Sequence, residues 1–304
     1  MLKIKIGNIE FCSPVIASSG TFGYGDEVKS FVDISKLGGI VTKSITSEPR
    51  LGNSNPRILE SESGMLNAIG LANIGVNEFC DKKIPLINSL NTNIIVSVAG
   101  STIEDYVNVV KEIENTNGNH IGYEINISCP NTKKGGVEFG KDSDMTLKLT
   151  KSIRSLTKKL LIIKLSPNVT SIENIALAAE KGGADAISAI NTIVGMAIDI
   201  NTQKYKLSNK YGGLSGPAIR PIAIANVHKI FNVVSIPVIG IGGVRNSDDV
   251  IEFMLAGASL VQVGTMNYLN PAVGVEISAN LIKHCRNKNI FDISKVIGKV
   301  HNAK

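Results

Sequence analysis

Residues 238–265, VIGIGGVRNSDDVIEFMLAGASLVQVGT, hold a strand, a helix and a second strand in one stretch. Val238–Ile241 is a short apolar run closed by Gly242-Gly243-Val244. Ser247–Ala256 carries a helical pattern, and Leu260–Val263 is a second apolar run closed by Gly264-Thr265. Two such strands joined through a helix make a parallel pair. The same alternation runs back toward the N-terminus. Further strands are expected at Val15–Ala17, Gly39–Thr42, Ile94–Val98, Ile121–Ile125, Leu161–Lys164 and Ala186–Ile190. Helical patterns lie at Ile103–Asn115, Ser143–Leu156, Ile172–Lys181 and Ala218–Phe231. Eight strands in 304 residues predict an α/β chain folded as a closed (β/α)8 TIM barrel, in preference to an open doubly wound sheet. Before the first barrel strand, residues 2–12 read as an N-terminal β-hairpin turning at Gly7-Asn8 and plugging the barrel bottom. No composition shift marks a second domain, so 1–304 is expected to be one unit.

Composition narrows the function classes. Tryptophan is absent and aromatics make up 5%, so the core must be built from Ile, Leu, Val and Ala. No apolar run approaches the ~18 residues that would span a bilayer. Strand-like alternation starts at Leu2, where a signal peptide would lie, and the expected location is the cytoplasm. Cys12, Cys80, Cys129 and Cys285 are far apart and form no Cys-x-x-Cys pair, which argues against a zinc or iron–sulfur site held by this chain alone. The net charge of +6 is spread over scattered lysines, as on a solvated surface, without the arginine blocks of a nucleic-acid binder.

Three long irregular regions, 44–80, 128–142 and 192–217, each follow a strand. In a barrel they gather at the C-terminal face, where barrel active sites lie. The first strand end among them to carry chemistry is Asn126-Ile127-Ser128-Cys129-Pro130-Asn131. Carboxamides can orient a flat polar ligand, and a thiolate can take a proton; a structural cysteine in a turn is the alternative. The glycine-rich 132–140 that follows has the composition of a lid. Gly242-Gly243 and Gly264-Thr265 can bring backbone N–H groups to a phosphate, or serve as ordinary tight turns. Lys43 and Lys164 end strands, where a lysine shut off from solvent needs an anion. Asn67-Ala68-Ile69-Gly70-Leu71 and Asn191-Thr192 add neutral hydrogen-bonding groups suited to a planar heterocycle. No Ser–His–Asp or Cys–His pattern is apparent, which favours proton abstraction coupled to a cofactor over hydrolysis.

As a set, these motifs resemble the dihydroorotate dehydrogenase family. The set is Asn67-Ala-Ile-Gly-Leu-Ala-Asn, Asn126-Ile-Ser-Cys-Pro-Asn, Lys164-Leu-Ser-Pro-Asn, Asn191-Thr192, Gly213-Leu-Ser-Gly216-Pro, Ile241-Gly-Gly-Val and Val263-Gly-Thr. They fall in the family's order and span nearly the whole chain. Cysteine at 129 is similar to the soluble class 1 enzymes, since the membrane-bound class has serine there and an N-terminal extension. Lys133-Lys134-Gly135-Gly136 resembles the NAD-linked class 1B.

The resemblance implies one FMN per chain and oxidation of dihydroorotate to orotate in pyrimidine biosynthesis. Cys129 would be the base at C5, with hydride passing from C6 to the flavin. Substrate would meet Lys43, Asn67, Ala68, Ile69, Gly70, Leu71, Asn126, Asn191 and Thr192. Flavin would meet Ser19, Lys43, Ser44, Ser97, Asn126, Lys164, Ile190, Gly216, Gly242, Gly243, Gly264 and Thr265. Ser97 departs from the family's asparagine, so a weakened or water-bridged flavin contact is expected there. NAD would be reached through a partner subunit carrying FAD and a [2Fe–2S] cluster, with a homodimer of this chain inside a heterotetramer. The competing expectations are a fumarate-linked enzyme without that partner and an FMN-dependent tRNA dihydrouridine synthase.

Overall fold

A computed structural model describes residues 1–128 and 139–302. Eight parallel strands close into a barrel. In order around it they are Val15–Ala17, Gly39–Val41, Ile94–Val98, Gly122–Asn126, Leu160–Leu165, Ala186–Ala189, Val238–Ile241 and Ala258–Val263. The eighth returns to the first through the pairs Val261–Val15 and Val263–Ala17. All eight expected strands are present, three of them with the expected ends and the others shifted by at most two residues. Their largely apolar sequences follow from burial on both faces, inside the barrel and under the helices. Leu160–Leu165 is buried at every position.

The expected helices form at Ile103–Glu114, Ser143–Arg154, Ile172–Lys181, Arg220–Phe231 and Ser247–Leu255. All but the helix at Arg220 start at a side chain, Thr102, Asp142, Ser171 or Asn246, that satisfies the first free N–H groups. Thr102 and Asp105 form a reciprocal capping box, and Asn246 accepts from the amides of Asp248 and Asp249. The helix expected from Ala218 starts at Arg220, because Pro217–Ile219 first makes a 3-10 turn. Two helical segments, Gly75–Glu78 and Ile84–Ile87, joined by wider π-type turns, follow the second strand. A 15-residue helix, Val273–Asn287, follows the eighth.

The N-terminal hairpin pairs Ile4–Ile6 with Ile9–Phe11. It sits under the barrel as expected: Asn93 Nδ2 donates to Glu10 O at 3.0 Å, and the Cys12 thiol donates to Leu37 O at 3.1 Å. Asn93 and Leu37 lie just before the third and second barrel strands. Ile4, Ile6 and Phe11 are buried there.

At the other end two of the long loops are more ordered than expected. Ile58–Ser61 and Gly64–Asn67 form a hairpin; Gly212–Ser215 pairs with its second strand, and Ile193–Gly195 pairs with Gly212–Ser215. This antiparallel sheet draws its strands from two of the three regions read as irregular. Gly-Gly-Leu-Ser has little strand propensity of its own. Its order comes from partners some 150 residues away in sequence, as in Ser215 opposite Met65.

Candidate active site

One cavity of about 520 Å³ opens among the C-terminal strand ends and this small sheet. Ser19, Lys43, Ser44, Asn126, Lys164, Ile190, Gly216, Gly242, Gly243, Gly264 and Thr265 line it. So do Asn67, Ala68, Ile69, Gly70, Leu71, Asn191 and Thr192. The volume lies within the few hundred to about 1,000 Å³ common for small-molecule and cofactor pockets.

The floor comes from adjacent strands. Asn126 stands beside Lys164, and Lys164 beside Ser188, in the parallel register. Asn126 Oδ1 accepts from Asn191 Nδ2 and from the Ser128 amide, both at 3.2 Å. Asn191 Oδ1 accepts in turn from the Thr192 amide at 2.8 Å. Both side chains are thereby oriented, and no described residue uses the Asn126 NH₂, which is left to donate to a ligand.

The two lysines differ. Lys164 is buried, 3.2 Å from Ser19 Oγ and 3.4 Å from Glu124 Oε1. Lys43 has no anionic or hydrogen-bonding side chain on its ammonium among the described residues. Burial, and then the Arg57 guanidinium, push its pKa down, against a smaller upward pull from Glu27. A desolvated, unpaired cation in a cavity wall is a place for an anion.

The glycine turns form a cradle. Gly243 has φ +73°, and a Cβ there would stand 2.7 Å from Gly216 O and 2.8 Å from Arg220 Cβ, so only glycine allows this approach. A Cβ on Gly264 would come no nearer than 3.7 Å to Ser18, so that wall keeps open space. Adjacent turns built this way suit a phosphate-bearing cofactor. A flat ring system fits the carboxamides and Lys164, and FMN is therefore compatible with the residues present.

A dihydroorotate dehydrogenase family model matches residues 1–285. The chain belongs to the dihydroorotate dehydrogenase family. It is similar to the "dihydroorotate dehydrogenase B (NAD(+)), catalytic subunit" of Alkaliphilus metalliredigens, 46% identical over 98% of each chain. The protein of the same name from Desulforamulus reducens is 45% identical over 99% of this chain and 98% of its own. That from Bacteroides thetaiotaomicron is 46% identical over 98% of each. The NAD-linked branch of this oxidoreductase family is thus the one the motifs indicated.

One expected site residue, Ser97, does not line the cavity, and another, Cys129, is not among the described residues. Ser97 is fully buried, with Oγ 2.8 Å from Ser44 Oγ. It stands behind a lining residue, because a serine there is too short to pass Ser44. Cys129 lies outside the described residues, as do Asn131, Lys133-Lys134-Gly135-Gly136 and the expected lid apart from Phe139 and Gly140. Lining residues not singled out from sequence include Arg50, Asn53, Tyr211 and Tyr268. Arg50, Asn53 and Tyr211 sit in loops and Tyr268 in the four-residue helix Met266–Leu269, where sequence offers no periodicity to aim a side chain. Asn168 is another; its Nδ2 donates to Thr192 O at 2.9 Å and its Oδ1 accepts from the Val194 amide at 3.0 Å. Its signal was available as the last residue of the Lys164-Leu-Ser-Pro-Asn motif.

Among the described residues, no group of three His, Cys, Asp or Glu is placed to hold a metal, and no helix is long and apolar enough to cross a membrane.

Proposed function

We propose that this chain is a single FMN-binding barrel domain that oxidises (S)-dihydroorotate to orotate in de novo pyrimidine (UMP) synthesis. Electrons then pass to NAD through a partner subunit carrying FAD and a [2Fe–2S] cluster. The observation that carries the reading is the convergence on one cavity of an unpaired cation, Lys43, oriented carboxamides, Asn126 and Asn191, and the glycine cradle at Gly216, Gly242, Gly243 and Gly264.

In this reading Lys43 binds the substrate carboxylate. Asn67, Asn126, Asn191 and Thr192 hold the edges of its ring, and Ala68, Ile69, Gly70 and Leu71 form the wall over it. Asn67 is itself steadied by donating to Gly213 O at 3.3 Å. Ser19, Ser44, Lys164, Ile190, Gly216, Gly242, Gly243, Gly264 and Thr265 hold the cofactor. FMN held there would supply the acceptor for the hydride at C6. Cys129 removes the C5 proton, a role carried over from the family's Cys-Pro motif. Lys164 supplies positive charge where negative charge develops in the ring. The relatives' name, "catalytic subunit", supports a partner; we place the assembly, a homodimer of this chain with two partner subunits, in the cytoplasm.

The test is anaerobic mixing of the flavin-loaded protein with dihydroorotate while following the flavin absorbance. Rapid bleaching in the wild type, slowed by about 10²–10⁴-fold in Cys129→Ala as for loss of a general base, is the expected result. A flavin-loaded wild type that is not bleached would exclude dihydroorotate as substrate. NAD reduction only in the presence of the partner subunit would support the NAD-linked assignment; turnover with fumarate and no partner would refute it.

A further inference from the structure

The barrel interior holds a buried polar layer directly beneath the cavity. Glu124, Ser188 and Gln262 come from the fourth, sixth and eighth strands, and all three are fully buried. Glu124 Oε2 accepts from Gln262 Nε2 at 2.6 Å and from Ser188 Oγ at 3.0 Å. Its other oxygen, Oε1, accepts no hydrogen bond among the described residues and faces Lys164 Nζ at 3.4 Å. Glu124 does not reach the cavity; Lys164 does.

Barrel interiors are filled in layers by side chains from alternate strands, mostly branched apolar ones. An apolar layer here would avoid the desolvation of a carboxylate and an ammonium, and replacing such buried pairs by packed hydrophobic residues is often neutral or stabilising. Stability therefore gives little reason for three polar side chains to converge at this level. What the layer does is hold one carboxylate rigidly behind one ammonium.

We propose that Glu124 is a positioning residue: it fixes the Lys164 ammonium at the cavity wall and sets how much of its positive charge a bound flavin feels. The inference rests on the FMN reading above. The Lys164 ammonium has three N–H groups. One is donated to Ser19, and the Glu124 carboxylate lies against the ammonium as an ion pair, so donor capacity remains for a cavity ligand. The carboxylate behind Lys164 offsets part of its field, so a flavin beside this pair is a weaker oxidant than one beside an uncompensated lysine, and a better donor to the next carrier.

The experiment measures the midpoint potential of FMN bound to the protein, at one fixed pH for all variants. Glu124→Gln keeps the shape and removes the charge; its potential is expected to rise above wild type. Glu124→Asp, with the carboxylate drawn back by one methylene, is expected to fall between the two, and it carries the test alone if Glu124→Gln folds poorly. In a Lys164→Met background the carboxylate has no ammonium to position or offset, so adding Glu124→Gln is expected to change the potential less than it does with Lys164 present. A merely structural role for Glu124 would not produce this pattern.

An unchanged potential in Glu124→Gln or, where that variant does not fold, in Glu124→Asp overturns the inference. So does a Glu124→Gln shift of equal size with and without Lys164. A wild-type chain that takes up no FMN overturns the cofactor reading and this inference together, whereas a flavin-loaded wild type with unresponsive variants overturns the inference alone.

Discussion

Asn191 Nδ2 donates to Asn126 Oδ1 at 3.2 Å, although 65 residues separate them. The contact joins the ends of the fourth and sixth barrel strands above Lys164 on the fifth. It fixes which face of each carboxamide is left for a ligand, since Asn126 has spent its oxygen and keeps its NH₂.

Removing Asn126 should therefore cost more than one contact. Asn126→Ala deletes a ligand donor and frees Asn191 to turn. At about 1–3 kcal/mol for an unmade hydrogen bond in a buried site, kcat/KM for dihydroorotate is expected to fall roughly ten- to a hundredfold. Because the two side chains act as one unit, the double variant with Asn191→Ala should lose less than the product of the single losses. Strictly multiplicative losses in steady-state kinetics would show that the bond between them plays no part.

Lys43 gives the site a pH dependence of known sign. Burial and Arg57 lower its pKa from the ordinary 10.5. The ammonium is present below that lowered value and is lost as pH rises through it. Affinity for an anion such as orotate should thus decline on the alkaline side earlier than for an ordinary lysine. Lys43→Arg, which stays charged, should flatten that limb, and Lys43→Met should weaken binding at neutral pH by about tenfold or more, as for loss of a charged hydrogen bond. Orotate titrations followed by flavin absorbance check this; identical alkaline limbs in wild type and Lys43→Arg would remove Lys43 from the carboxylate site.

Ser97 offers a test of support at one remove. Its hydroxyl pairs with Ser44 Oγ inside the wall, and its amide donates to Thr42 Oγ1 at 3.1 Å. Ser97→Ala leaves the Ser44 hydroxyl without that buried partner, at about 1 kcal/mol. FMN affinity is expected to fall by several-fold, without loss of the cofactor. Equal dissociation constants for the two apoproteins would mean that Ser44 does not need the contact.

Much of this could be read from residues alone, for identifiable reasons. The eight strands were visible because parallel barrel strands are buried on both faces and so appear as continuous apolar runs, Leu161-Ile162-Ile163 most clearly. Asn126, Lys164 and Gly242 were visible because strand ends are the positions a barrel turns toward its ligand. The antiparallel sheet was not, since Gly212–Ser215 carries no pattern of its own and is ordered by a distant hairpin. Glu124 was passed over because one carboxylate within Gly-Tyr-Glu-Ile looks like any polar strand residue until the barrel closes and Ser188, Gln262 and Lys164 meet it.

His120 shows the same closure acting on stability. It is buried, packed edge-on to Tyr123 with ring centroids 4.9 Å apart, and both ring nitrogens lack hydrogen-bond partners among the described residues. Burial first, and the Lys159 charge second, push its pKa from 6.5 down to about 4, against a weaker upward pull from Glu114. The folded pKa lies below the unfolded one, so the neutral ring's contribution is fully present above about 6.5 and is lost as pH falls through about 4. The loss amounts to about 3 kcal/mol at most. His120→Leu, which cannot titrate, should lose less stability than wild type between neutral pH and pH near 4, whatever its stability at neutral pH. Denaturant titrations at both pH values measure the difference, and parallel losses in the two proteins would show that this ring does not charge on unfolding.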